Sequence, residues 1–197
     1  MKLEGYNKGN VTKSISSREL SVFALAPQPL LILLGTLISD IYPADVYQLH
    51  REPTTWKWQD EPEHFEYKVI EPTEIHKKVA LNLSLSATID NSRIMDVLGE
   101  DTSIWTKTTP SPNNDFLKGK NQLSKFRVLM RGLFNKIKLM HGEDSVIHIF
   151  PATSISTAVE LGRVWMLKAD LPLSLYDENK KISGFQYTFS IGEHIYV

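Results

Sequence analysis

The chain has 197 residues, no cysteine and a formal net charge of −1. That excludes a disulfide framework and cysteine-held zinc, and a surface that coats nucleic acid by bulk positive charge. Hydrophobic residues make up 42% and charged residues 23%, the balance of a globular domain in one or two units.

Residues 1–19, rich in Ser, Lys and Gly, read as a polar lead-in or linker. Residues 21–26 are apolar on both faces, the pattern of a strand covered on two sides. The apolar run from Phe23 to Ile38 falls short of the ~20 residues a membrane span needs, and Pro27 and Pro29 interrupt it. The polar start and Glu4 and Glu19 before it do not fit a signal peptide. With no cysteine, a cytoplasmic location is expected. The run is read as a buried strand followed by a helix. Pro29 sits in the first turn, where its missing N–H costs nothing, and the helix reaches about Ile41.

Residues 44–50 read as the next strand, and 51–64 (REPTTWKWQDEPEH) as a polar loop. Alternation would set Trp56 and Trp58 on one side of an extended segment. A strand is expected over 65–70. In 78–87, Val79, Leu81, Leu83 and Leu85 alternate with small or polar residues, which marks a strand with one buried face. Residues 102–109 form another candidate strand, followed by the loop PSPNND. Over 121–141, Leu123, Phe126, Met130, Leu133, Ile137 and Met140 make a continuous helical stripe, capped by Gly142. The basic residues of this helix read as a solvated face. A strand (145–150), a helix (154–165) and strands at 171–176 and 185–191 complete an α/β order.

Two stretches run alike. Ser21-Val22 matches Ser145-Val146, Pro27 matches Pro151, Gly35 matches Gly162, and Ala44-Asp45 matches Ala169-Asp170. Any two strand–helix–strand units share some of this order. Read as a true repeat, it gives two α/β units around a pseudo-twofold axis, with a pocket beyond the carboxyl ends of their strands. The tight turns at Pro27 and Pro151 then aim helix N-termini at that pocket. Gln28, Thr153, Ser154 and Ser156 add polar groups able to hold phosphate, although Thr153 or Ser154 serves equally well as a plain N-cap.

Motifs for other chemistries are missing. There is no G-x-G-x-x-G, no P-loop and no G-x-S-x-G elbow. The six histidines show no metal-ligand spacing, and His148 reads as a core or pocket-edge residue. Asp60 with Glu66-Tyr67-Lys68 is too short a pattern to specify a magnesium nuclease. No catalytic residue, metal or cofactor is expected. Trp56 and Trp58 either stack on bases or pack on the sheet edge, and Arg51 is placed to pair with phosphate.

Six ordered segments together resemble the SAVED domain. They are LSVFALAPQPLLILLGTLISD, ADVYQLHREPTTWKW, VALNLSLSATID, GEDTSIWTKT, PNNDFL and IHIFPATSISTAVELGRVWMLKADLPLSLYDEN, spread over residues 20–179. The resemblance implies two fused CARF-like, Rossmann-related subdomains, here about 20–115 and 116–197. It implies a sensor of cyclic di- or trinucleotides in anti-phage signalling of the CBASS type. Ligand binding would drive homo-oligomerisation and switch on an effector, fused or separate. The segments are most similar to the endonuclease-fused group, yet no HNH motif or effector domain occurs in the chain. No membrane and no direct DNA contact are expected. The alternative is a ring-nuclease-like phosphodiesterase that opens the cyclic ligand.

The expected ligand-binding residues follow. Gln28 and Pro29 belong to the first turn, and Pro151, Thr153, Ser154 and Ser156 to the second. Tyr47, Trp56 and Trp58 would stack on bases, with His50 and Arg51 beside them. Ser86 and Thr88 lie past the end of the alternating strand. Asp170, Tyr176 and Asp177 would read base edges or touch a neighbouring protomer.

Overall fold

The computed structural model describes residues 19–179, 181 and 184–192. The lead-in expected over 1–19 thus lies outside the described residues save for its last position. A small unit comes first. β1 (Leu20–Val22) pairs in parallel with β2 (Ala44–Val46), and α1 (Gln28–Ile38) crosses between them. β3 (His50–Arg51) and β4 (Thr54–Thr55) form a short hairpin.

The larger unit is a six-stranded sheet. It contains β5 (Lys68–Ile70), β6 (Lys78–Ser84), β7 (Thr102–Thr108), β8 (Ile147–Ala152), β9 (Leu173–Asn179) and β10 (Gly184–Ile191). Their order is β10-β9-β8-β6-β7-β5. The four inner strands are parallel, and β5 and β10 close the edges antiparallel. Along the chain, α2 (Asn91–Leu98) joins β6 to β7, α3 (Lys120–His141) joins β7 to β8, and α4 (Ile155–Val164) joins β8 to β9.

The strand alternation sorts two cores. Val79, Leu81, Leu83 and Leu85 enter the main core with Leu123, Phe126, Met130, Leu133 and Ile137 of α3. Ala80 turns to the other face, where Ile94 and Leu98 of α2 meet Phe150, Tyr176 and Phe185. Met140 ends the α3 stripe half-exposed at 39%. The basic residues of α3 are not simply solvated. Arg131 pairs with the buried Asp170, Arg127 with Glu160, and Lys136 with Glu71.

Pro151 sits in a central strand without penalty. β8 pairs with β9 only as far as Ile149, while its pairing with β6 continues to Ala152. The missing N–H therefore falls where one flank of β8 carries no ladder.

One expectation needs correction. Residues 21–26 do not form a doubly covered strand. Only Leu20–Val22 is strand, and Phe23 and Leu25 are exposed at 53% and 68%. Among the described residues β2 is the only strand paired with β1. Leu30, Leu37, Ile41 and Tyr42 are exposed as well. β5, β6 and β7 share one sheet with β8, β9 and β10, and position 115 lies in the connection from β7 to α3.

The two units are clamped at the crossing of α1 and α4, where Gly35 and Gly162 meet. Beside it, the buried Arg163 of α4 donates to the carbonyls of Ser39, Tyr42 and Ala44, each at 3.1 Å. Glu160 binds the same guanidinium at 2.7 Å and takes Arg127 at 3.0 Å on its other oxygen.

Candidate functional site

A cavity of about 350 Å³ opens where the two units meet. Gln48, His50, Arg51 and Thr54 line it from the first unit, and Ser86, Asn114, Thr153 and Ile155 from the second. Leu25 supplies an apolar wall. Ser86 follows β6, and Thr153 and Ile155 bracket the turn from β8 into α4. The cavity thus lies at the carboxyl edge of the parallel strands, where open α/β sheets take ligands.

Polar clasps hold its walls. The Gln28 side chain donates to Thr153 O and accepts from Thr153 N, each at 3.2 Å. Gln48 Oε1 accepts from the Ser156 backbone N–H at 3.2 Å and from its hydroxyl at 3.0 Å. Ser154 caps α4 by accepting from Thr157 N, and the hydroxyls of Thr153, Ser154 and Thr157 bond one another. The first turn of α4 therefore spends much of its donor capacity inside the protein. Sequence reasoning expected these groups to face a ligand. The structure has Gln28 and Ser156 joining the two units, while Ser154 caps α4.

What remains open in the cavity is a different set. The Arg51 guanidinium, the Ser86 hydroxyl and the Asn114 amide make no hydrogen bond or ion pair to another described residue. His50 is 2% exposed, and its Nε2 is buried without a partner. Burial first, then the Lys118 cation, lowers its pKa against a weaker opposing pull from Asp115. The imidazole is therefore neutral near pH 7.

The aromatic residues separate. Tyr47 stacks on Phe23 at 4.5 Å with the rings 8° apart, and Trp56 meets Phe23 edge-on at 5.2 Å. Phe23 lies two residues before the wall residue Leu25. Trp58 instead packs against the main core and lies edge-on to His50 at 6.0 Å. A bend at Trp56 and Lys57 breaks the extended segment that would have kept both indoles together.

Other expected residues stand apart from the cavity. Pro29 is buried in the first turn of α1, and Pro151 within β8. Thr88 is exposed in the loop between β6 and α2. Tyr176 lies on the α2 side of the sheet, stacked on Phe150 at 4.5 Å and bonded to His148 Nδ1 at 3.0 Å. Asp177 accepts from the Glu178 N–H, and burial raises its pKa. Asp170 precedes β9 at the opposite, amino edge of the sheet, where Arg131 holds it and it accepts from Met166 N. Among the described residues no cluster of three His, Asp or Glu is placed to hold a metal ion. Glu66 is paired with Lys68 at the surface.

Sequence reasoning missed Gln48, Thr54, Asn114 and Phe23. Asn114 carried a signal, since it lies in the PNNDFL segment. Phe23 carried a misleading one, because an apolar residue in an apolar run reads as core.

The SAVED model, "SMODS-associated and fused to various effectors sensor domain", matches residues 4–191. Among curated proteins no sequence matches the chain. Solved structures do. The Acinetobacter baumannii Cap4 SAVED/CARF-domain containing receptor aligns with a TM-score of 0.61 at 12% identity, over 88% of this chain and 36% of that one. The same receptor with the cyclic trinucleotide 2′3′3′-cAAA aligns at 0.60 and 13% identity, over 88% and 38%. With 3′3′3′-cAAA the score is 0.59 at 13% identity, with the same coverage. At such identities the likeness concerns the fold. The chain spans between 36% and 38% of the length of these receptors.

Proposed function

Because this chain belongs to the SAVED family, we propose that it is a cyclic-oligonucleotide sensor whose ligand, a cyclic di- or trinucleotide, enters the junction cavity. One observation carries the reading. The cavity is walled by both units at the carboxyl edge of the sheet, and its polar groups Arg51, Ser86 and Asn114 have no side-chain partner among the described residues. Arg51 binds a phosphate, since a guanidinium forks onto its oxygens. Asn114 pairs with a base edge, having both a donor and an acceptor to offer. The partly exposed Tyr47 and Trp56 form the stacking wall at the rim.

Occupancy is passed on by oligomerisation, which activates an effector carried by a longer protein or by a separate chain. Among effector classes, an endonuclease suits the wording of the resembling segments. The test is a melting and calorimetric screen of cyclic di- and trinucleotides. A ligand that binds the folded state raises the melting temperature by mass action, and chromatography should recover it intact. If no cyclic nucleotide shifts melting at millimolar concentration, the reading is wrong.

A further inference from the structure

A second cavity of about 210 Å³ adjoins the first. Thr109, Phe65, Phe116, Asp115 and Lys118 wall it. Asn113 borders it and Asn114 borders the junction cavity, so the loop after β7 separates the two.

Among the described residues, Lys107 Nζ, the Tyr67 hydroxyl and Thr109 Oγ1 are buried without a hydrogen-bond partner; Thr109 lines this cavity, and Lys107 and Tyr67 stand behind it. Register explains the grouping. Alternation along β7 turns Lys107 and Thr109 to the same face. Lys68 of β5 stands opposite Thr108, and continuing that register sets Tyr67 opposite Thr109. Lys107 Nζ lies 5.1 Å from the centre of the Tyr67 ring. Tyr67 in turn meets Phe65 at 4.8 Å and Phe116 at 6.5 Å, and both of these wall the cavity.

Lys107 is fully buried yet has no carboxylate or carbonyl partner among the described residues. An uncompensated buried charge is costly, and a ring face offsets only part of that cost. Burial pushes its pKa down to about 8. Burial also raises that of Tyr67, so the phenol keeps its proton to donate. The acidic neighbours are engaged elsewhere. Glu61 accepts from the Asn121 N–H at the start of α3, and Asp115 lies 3.9 Å from Lys118. An ammonium and two hydroxyls that lack acceptors are the complement of an oxyanion.

We propose that Lys107, Thr109 and Tyr67, with Lys118 at the rim, form a binding site for a phosphate group distinct from the junction cavity. The phosphate is either a free anion or part of a nucleotide bound next door.

Melting and titration of wild type, Lys107→Met and Thr109→Val distinguish the sources. For a free anion, inorganic phosphate raises the wild-type melting temperature above that in chloride of equal ionic strength, and Lys107→Met loses this response. For a nucleotide phosphate, Lys107→Met weakens cyclic trinucleotide binding by roughly tenfold or more, the scale of one charged hydrogen bond. In both cases Lys107→Met melts higher than wild type without any anion. Equal phosphate response and equal trinucleotide affinity in wild type and Lys107→Met overturn the site. Thr109→Val supplies the same comparison should the lysine variant fail to fold. A protein that binds phosphate here and no cyclic nucleotide anywhere retains this site and loses the sensor function.

Discussion

Gly35 of α1 and Gly162 of α4 meet backbone to backbone, and each sees the other's helix in the same way. A Cβ on Gly35 would overlap the Val159 carbonyl oxygen and stand 2.9 Å from the Arg163 nitrogen. One on Gly162 would overlap the Ile32 carbonyl oxygen and stand 2.8 Å from the Thr36 nitrogen. The contacts fall three residues before and one after the opposing glycine in both directions. That reciprocity is what a local twofold axis through the crossing produces, and these are the glycines that the repeat in the sequence matched.

Alanine at either position has nowhere to go, because the obstacle is main chain. Gly35→Ala or Gly162→Ala should cost about 3 kcal/mol or more, at or beyond the upper end of overpacking effects. Urea melts of the two variants should agree closely. A loss below about 0.5 kcal/mol in either would mean that the helices slide apart freely.

Arg163 joins three carbonyls of the connection from α1 to β2 to Glu160. Arg163→Ala strips those carbonyls and leaves Glu160 buried with Arg127 alone, at an expected cost of about 3–5 kcal/mol. Arg163→Lys keeps the charge but loses the planar fork, and should recover less than half of that in thermal melting.

Lys107 makes stability depend on alkaline pH. Its ordinary pKa is 10.5 and its folded value about 8. Between these values the unfolded chain holds a proton that the folded chain has released, so stability rises with pH. Below pH 8 both states are charged and the full burial cost applies. Tyr67 faces the amine but is pushed upward out of this window. The melting advantage of Lys107→Met over wild type, measured in chloride without oxyanions, should therefore shrink from pH 7 to pH 10. A constant difference would show that the amine is paired or solvated.

Arg51→Ala should weaken the cyclic ligand by about 1.5–3 kcal/mol, the range for a charged hydrogen bond, and leave melting of the free protein almost unchanged. Gln48→Ala should do the reverse first. It removes two bonds to Ser156, should lower stability by about 1–2 kcal/mol, and should weaken binding only through the loosened wall. Calorimetry beside melting separates the two patterns.

The order of elements was legible because long periods leave unambiguous traces, as in α3 and the alternating β6. α2 left no trace. Only Ile94 and Leu98 of its eight residues are buried, one turn of pattern, and its start rests on Asp90 accepting from Ser92 N. The mixing of β5–β7 with β8–β10 was equally hidden, since strand neighbours are chosen by long-range pairing. Arg51, Ser86 and Thr153, which line the cavity, could be singled out in the sequence from their place at strand ends and turns. Gln28 and Ser156 were readable as polar residues at the junction, but not as partners of Thr153 and Gln48. Composition names a donor and says nothing of whether the protein or a ligand accepts from it.

The exposed apolar residues between Leu20 and Tyr42 have a practical result for anyone handling the molecule. Seven large side chains from Leu20 to Tyr42 stand in water on a chain of net charge −1 and isoelectric point near 6.6. Colloidal repulsion is close to its minimum at neutral pH, so little opposes adhesion through these side chains. Buffers well above the isoelectric point, at modest salt, should keep the protein dispersed at concentrations where neutral ones cloud.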